Sequence, residues 1–306
     1  MARVKANGIE IEVEEHGRRA HPAVLLIMGL AAQLTHWPKA FIDALVDAGY
    51  RVVAFDNRDI GLSEKLHAKR ALKPATYLMA AQLFGLRGLA PYTLHDLASD
   101  AAGVMDSLEI EKAHVVGASM GGMIGQLLAA NHSARVDSFT AIMSSTNNAK
   151  LPGADPALIR EIFAAREKPR TRDEIVERTL RIWNLIGTPD GGNDPVEFRR
   201  KIEGAVDRCN YPAGVRRQIA AIIATGDLRR WSRTIAAPTL VIHGSVDPLA
   251  PFQGGLDIAA TIKDAKMELI NGMGHDLAPR HLPKITELIV GHIRSAEENA
   301  RNSRAA

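Results

Sequence analysis

The chain has 306 residues, 46% of them hydrophobic and 24% charged, with 38 basic against 35 acidic side chains and a formal charge of +3. That is enough apolar material for one large core, or a core with a small satellite, and a balance this even without a run of five like charges argues against a nucleic-acid partner. The single cysteine, Cys209, excludes an internal disulfide; flanked by Arg208 and Asn210, with no base beside it, it reads as a small buried side chain.

From the N-terminus, Arg3 to Ala6 and Ile9 to Glu14 are split by Asn7-Gly8 and read as a hairpin. In its second arm Ile9, Ile11 and Val13 alternate with Glu10, Glu12 and Glu14, as in a half-buried strand. Met1 to Glu10 lacks the apolar stretch of a signal peptide, and the run Ala23 to Ala32 is too short to cross a bilayer, so no integral membrane segment and a cytoplasmic location are expected. Ala23 to Met28 and Tyr50 to Phe55 are strand patterns, with Pro38 to Ala48 helical between them. Leu94 to Leu108 is an amphipathic helix, His114 to Val116 a strand and Met120 to Ala130 a helix. Phe139 to Met143, Thr239 to His243 and Met267 to Ile270 are further strands. Pro283 to Ile293 is a closing helix, and the tail from Ser295 to Ala306 is expected to be a frayed helix end or disordered. Continuous Val, Ile and Leu runs separated by helices predict a mainly parallel, doubly wound sheet.

The alternation breaks between 147 and 233, where only helical patterns occur: around Leu158, Ile159, Ile162 and Phe163; from the capping box Thr171/Glu174 through Trp183; from Asp194-Pro195 through Val206; and from Tyr211 to Ala224. Residues 1–146 and 234–306 are therefore expected to form a core domain, and 147–233 a helical cap or lid.

The segment His114-Val115-Val116-Gly117-Ala118-Ser119-Met120-Gly121-Gly122 places G-x-S-x-G between a strand and a helix. Such a turn strains the serine backbone, needs tiny residues two before and two after it, and presents the hydroxyl above the sheet. A glycine-rich packing turn is the bland alternative; a phosphate loop is disfavoured because no lysine follows Gly122. A serine needs a base and an orienting acid. Among eleven histidines, His275 follows the last strand in Gly272-Met273-Gly274-His275-Asp276, and Asp247 follows the strand ending at His243. Asp276 is a rival acid, but a carboxylate seldom grips the ring of its sequence neighbour. Ser119, Asp247 and His275, in that order and each after a different strand, form the expected triad. The Met120 N–H, at the helix start, points toward the site of a developing oxyanion. No metal-ligand spacing is present, and the chemistry requires no cofactor.

These residues carry a resemblance to the α/β-hydrolase superfamily from Val4 to Ile293. The matching pieces are Ile27-Met28-Gly29-Leu30, Asp56 to Ser63, Gly117 to Gly122, His243 to Asp247 and Gly272 to His275. The Met-Gly opening and Asp-Asn-Arg-Asp segment are similar to bacterial carboxylesterases and anthracycline methylesterases. The resemblance implies an α/β-hydrolase fold with an inserted cap, and a serine carboxylesterase acting on a small, mostly apolar ester through an acyl-enzyme. It places the second oxyanion donor at the Leu30 N–H, although Met28 stands where the family commonly has His, and it reads Arg58 and Asp59 as scaffold. Gly29, His36, Trp37 and Trp183 are pocket candidates; His36 and Trp37 serve equally well as core packing. Ser-Met-Gly-Gly also resembles C–C bond (meta-cleavage product) hydrolases and perhydrolases; the former would use a lid arginine, for which Arg170, Arg172, Arg181 and Arg208 are candidates. A non-catalytic small-ligand receptor on the same scaffold is the reading from another class. The apolar stretch Tyr77 to Leu86 is expected to be plain packing, with a pocket wall, a lid edge or a sticky surface as alternatives. Oligomeric state is not written in these patterns.

Overall fold

The computed structural model describes residues 2–66, 90–163 and 171–305. The apolar stretch 77–86 and Arg170 lie outside the described residues. The strands β1 (Ala2–Ala6), β2 (Ile9–His16), β3 (Ala23–Ile27), β4 (Arg51–Phe55), β5 (Ala113–Ala118), β6 (Val136–Ile142), β7 (Thr239–Gly244) and β8 (Lys266–Ile270) form one sheet in the order β1-β2-β4-β3-β5-β6-β7-β8. β1 and β2 pair antiparallel and β2 runs antiparallel to β4; every pairing from β4 to β8 is parallel. Asn7 (φ 49°) and Gly8 (φ 82°) both take positive φ, the two-residue turn whose twist matches a hairpin.

The helices are α1 (Lys39–Asp47), α2 (Leu94–Ser107), α3 (Met120–Asn131), α4 (Pro156–Phe163), α5 (Arg172–Ile186), α6 (Pro195–Arg208), α7 (Pro212–Thr225), α8 (Arg229–Ser232), α9 (Gln253–Thr261) and α10 (Leu282–Ala305). Because successive side chains on a strand point to opposite faces, the central strands divide their residues by parity. Leu25, Ile27, Val53, Phe55 and Val115 pack with α2 and α3 on one face. Val24, Leu26, Val52, Ala54 and Val116 pack with α1 and α10 on the other. Both faces are dry, which is why these strands read as continuous apolar runs.

Two expectations are corrected. Glu12 does not alternate outward: it is only 5% exposed, its N–H donates to the Ser63 hydroxyl oxygen at 2.9 Å, and its carboxylate lies 3.6 Å from Arg3. The C-terminal segment is helical to Ala305 rather than disordered, and Ile285, Ile289, Ile293 and Ala296 extend one buried stripe at helical spacing. No described helix is long and apolar enough to cross a membrane.

Helices α4 to α8 lie between β6 and β7 along the chain, with no described strand among them. They are tied to the loops that leave the carboxyl ends of β3 and β4. The Arg217 guanidinium of α7 donates to Asp59 at 2.8 and 2.6 Å, and the Tyr92 hydroxyl adds a bond at 2.8 Å. Arg58 makes the matching pair with Asp100 of α2, at 2.5 Å through both Nε and Nη2. Arg58 and Asp59 are scaffold in this sense: each neutralises a buried charge and fixes the turn after β4.

Candidate active site

Ser119 closes β5 and opens α3 with φ 55° and ψ −120°, a backbone conformation that a non-glycine residue enters only when its surroundings impose it. The imposing contacts are close. A Cβ on Gly117 would stand 2.2 Å from the Gly121 carbonyl oxygen, and one on Gly121 would stand 1.9 Å from that of Ile27. The Ser119 N–H donates to Ile142 O at 2.8 Å, and the Ser144 hydroxyl donates to Ser119 O at 2.8 Å. Strand and helix thus grip the residue from both sides, and its hydroxyl projects from the carboxyl edge of the sheet.

His275 lies beyond β8 and Asp247 beyond β7, so both side chains arrive at that same edge. The Ser119 hydroxyl lies 3.0 Å from His275 Nε2, and His275 Nδ1 lies 2.7 Å from Asp247 Oδ2. A carboxylate only accepts, so Nδ1 carries the proton and Nε2 is left to receive one from Ser119. The other Asp247 oxygen accepts the N–H groups of Leu249 at 3.0 Å and Ala250 at 2.8 Å. Burial pushes the Asp247 carboxyl up, but the facing His275 and these hydrogen bonds outweigh it and hold the group well below the ordinary carboxylate range. His243 braces the same turn: its Nε2–H donates to Ala250 O at 2.7 Å and lies 3.5 Å from Asp247 Oδ2. Asp276, the rival acid, makes its hydrogen bonds to Thr188 rather than to the ring of His275.

The loop after β3 comes against the serine. A Cβ on Gly29 would sit 3.0 Å from Ser119 Cβ and 3.5 Å from its Oγ, so the backbone leading into Leu30 passes beside the hydroxyl. Ala31 follows with φ 62°, and its N–H donates to Gln218 Oε1 of α7 at 3.1 Å. Gln33 reaches back to α6, donating to Ala205 O at 2.6 Å and to the Cys209 carbonyl at 3.1 Å. Arg208 completes this junction, donating to Gln33 at 2.7 Å and to the buried Asp56 at 2.6 Å. Sequence reasoning missed Gln33 and Gln218; the one available signal was a glutamine set among Ile and Ala on the buried side of α7.

Of the remaining candidates, Trp37 is buried in the core and stacks on Phe41 with ring centroids 5.6 Å apart. His36 stacks on Trp183 of α5 at 5.7 Å. Burial, followed by the nearby Lys201 charge, pushes the His36 imidazole down to about 4, so it is neutral at pH 7. Of the candidate lid arginines, Arg172 pairs with Asp207 and Arg181 with Glu161, both on the exposed side of the inserted helices. Cys209 is half-buried and free rather than fully enclosed.

The chain matches the family described as "alpha/beta hydrolase fold" over residues 22–281. It belongs to the α/β-hydrolase fold family. Rhodomycin D methylesterase of Streptomyces peucetius is 26% identical to it over 298 residues, spanning 92% of this chain and 93% of that protein. The rhodomycin D methylesterase of Streptomyces sp. (strain C5) is 28% identical over 302 residues, with the same two shares. Among solved structures, a meta-cleavage product hydrolase from Pseudomonas fluorescens IP01 superposes with a TM-score of 0.75 at 20% identity, covering 97% of this chain and 98% of that one, which shows the shared fold. A hydrolase fold with a serine, an imidazole and a carboxylate in hydrogen-bonded series is equipped to move an acyl group.

Proposed function

We propose that this α/β hydrolase is a carboxylic ester hydrolase that cleaves small, mostly apolar esters with Ser119 as nucleophile, His275 as general base and Asp247 as its orienting acid. One observation carries the reading: the unbroken series from the Ser119 hydroxyl through both nitrogens of His275 to Asp247, at 3.0 and 2.7 Å. The relatedness to two methylesterases along nearly the whole chain supports the ester class.

In this mechanism His275 Nε2 takes the Ser119 proton as Oγ attacks the acyl carbon. Asp247 keeps Nδ1 protonated and stabilises the imidazolium that forms. The Leu30 and Met120 N–H groups receive the oxyanion. Met120 is suited because the first N–H groups of a helix have no partner within it, and they carry the positive end of its dipole. The imidazolium then protonates the leaving alcohol, and water repeats the cycle on the acyl-enzyme. In this reading residues 147–233 act as a cap, and the Trp183 ring stacked on the neutral His36 favours uncharged substrates. The test is Ser119→Ala on a panel of p-nitrophenyl esters of increasing acyl length, with a dienol acid alongside to separate ester from C–C cleavage. The variant should fold normally and lose nearly all ester turnover; undiminished turnover would remove the proposal.

A further inference from the structure

The loop carrying His275 is held from the inserted helices as well as from the sheet. Where α5 ends, three consecutive residues face three of the loop. The His275 N–H donates to Ile186 O at 2.7 Å, and the Gly274 N–H donates to Thr188 Oγ1 at 3.0 Å. The Thr188 N–H and hydroxyl both donate to Asp276 Oδ1, at 3.0 and 2.5 Å. The approach requires glycine on the loop side. A Cβ on Gly274 would stand 2.5 Å from the Gly187 carbonyl, and one on Gly187 would stand 3.1 Å from Asp276 Oδ2. Farther along, the Arg280 N–H donates to Gly191 O at 3.0 Å.

We infer that Thr188 and Asp276 are positioning residues for His275, fixing its backbone to the inserted helices while Asp247 fixes its ring. The inference rests on the triad reading above. The Thr188 hydroxyl is the centre of the clasp, since it accepts from one neighbour of His275 and donates to the other. A carboxylate placed beside a catalytic base costs desolvation energy, and its bonds here run to Thr188, away from the ring. Without the hydroxyl, the Gly274 N–H and one Asp276 oxygen each lose a partner in a closed environment, and the loop relaxes away from the geometry that aims Nε2 at Ser119. The effect falls on proton transfer rather than on ester binding.

Thr188→Val keeps the side-chain shape and removes the hydroxyl; Thr188→Ser restores it. Both are compared with the parent for kcat and KM on a p-nitrophenyl ester, for the rate of Ser119 labelling by a fluorophosphonate, and for thermal unfolding. Thr188→Val should lower kcat and the labelling rate together by roughly tenfold to a hundredfold, the scale of a small misplacement of a catalytic group. KM should stay within about twofold, the pattern of an interaction used in the transition state, and Thr188→Ser should recover most of the loss. If Thr188→Val does not fold, Asp276→Leu, which offers Thr188 no acceptor, is measured in the same way, with a loss in kcat and labelling expected. A folded variant with a lower unfolding temperature but unchanged kcat and labelling rate would overturn the inference. Undiminished turnover by Ser119→Ala would instead fault the triad reading itself, so the two failures are distinguishable.

Discussion

Gly121→Ala probes how tightly the backbone around Ser119 is built. The added Cβ would stand 1.9 Å from the Ile27 carbonyl oxygen, 2.6 Å from its carbon and 2.9 Å from Met28 O. An unforced carbon–oxygen contact needs about 3.3 Å, so α3 and the end of β3 must part by more than about 1 Å. The obstructing atoms are all main chain, and no side-chain rotation relieves them. The first residue of α3 follows Ser119, and Met28 leads into Gly29 and Leu30, so the separation displaces Ser119 from the loop proposed to hold the oxyanion. A shift of that size costs on the order of 100-fold in rate, and forced packing costs about 1–3 kcal/mol of stability. Ester turnover and thermal unfolding on the same preparation read both effects. Gly204→Ala on α6 is the control: a Cβ there meets nothing within 4 Å, so activity should hold and stability should rise by about 0.4–1 kcal/mol. Gly121→Ala with parental turnover and unfolding temperature would refute the account of the turn.

Arg217→Met leaves Asp59, which is 0% exposed, without its guanidinium, and should cost about 3–5 kcal/mol in chemical denaturation, while a loss below about 1 kcal/mol would mean the pair is not held buried in solution. Asp247→Asn can donate its amide to His275 Nδ1 and so force the wrong tautomer; turnover should fall by about 10⁴-fold at pH 7, whereas a loss under tenfold would deny Asp247 the orienting role. Because the folded Asp247 titrates below its unfolded value, its stabilisation is complete above the unfolded pKa of about 4 and is lost as the pH falls through the lower folded value. The stability gap between parent and Asp247→Asn should therefore close in acid. His36 has the same proton preference at higher pH: its folded pKa of about 4 lies below the ordinary 6.5, so folding again excludes a proton that the unfolded chain binds. Stability should decline as the pH drops from 6.5 toward 4, and His36→Gln should flatten that slope; an unchanged slope would place the titration elsewhere.

The turn at Ser119 was legible because its requirement is local: Gly117, Ser119 and Gly121 crowd within a few residues of one another. The meeting of Asp247 and His275 at the Ser119 edge was legible because each follows a strand whose apolar run announces it. The braces were not. Gln218 to Ala31, Gln33 to Ala205, Arg217 to Asp59 and Thr188 to Asp276 join residues about 90 to 190 positions apart, and a polar residue on an inserted helix carries no local mark of the loop it will meet. Glu12 misled for a related reason, since the loop from Asp56 to Ser63 covers a face that alternation alone would leave to solvent. The tail misled because its polar composition hid the continuation of the Ile289–Ile293 stripe to Ala296.

Mass spectrometry of the intact protein after brief exposure to a fluorophosphonate, followed by peptide mapping, tests the central chemistry most directly. One adduct on Ser119, with its formation slowed severely in His275→Ala, is the predicted result. An unlabelled protein, a label on another residue, or equal labelling in His275→Ala would contradict it.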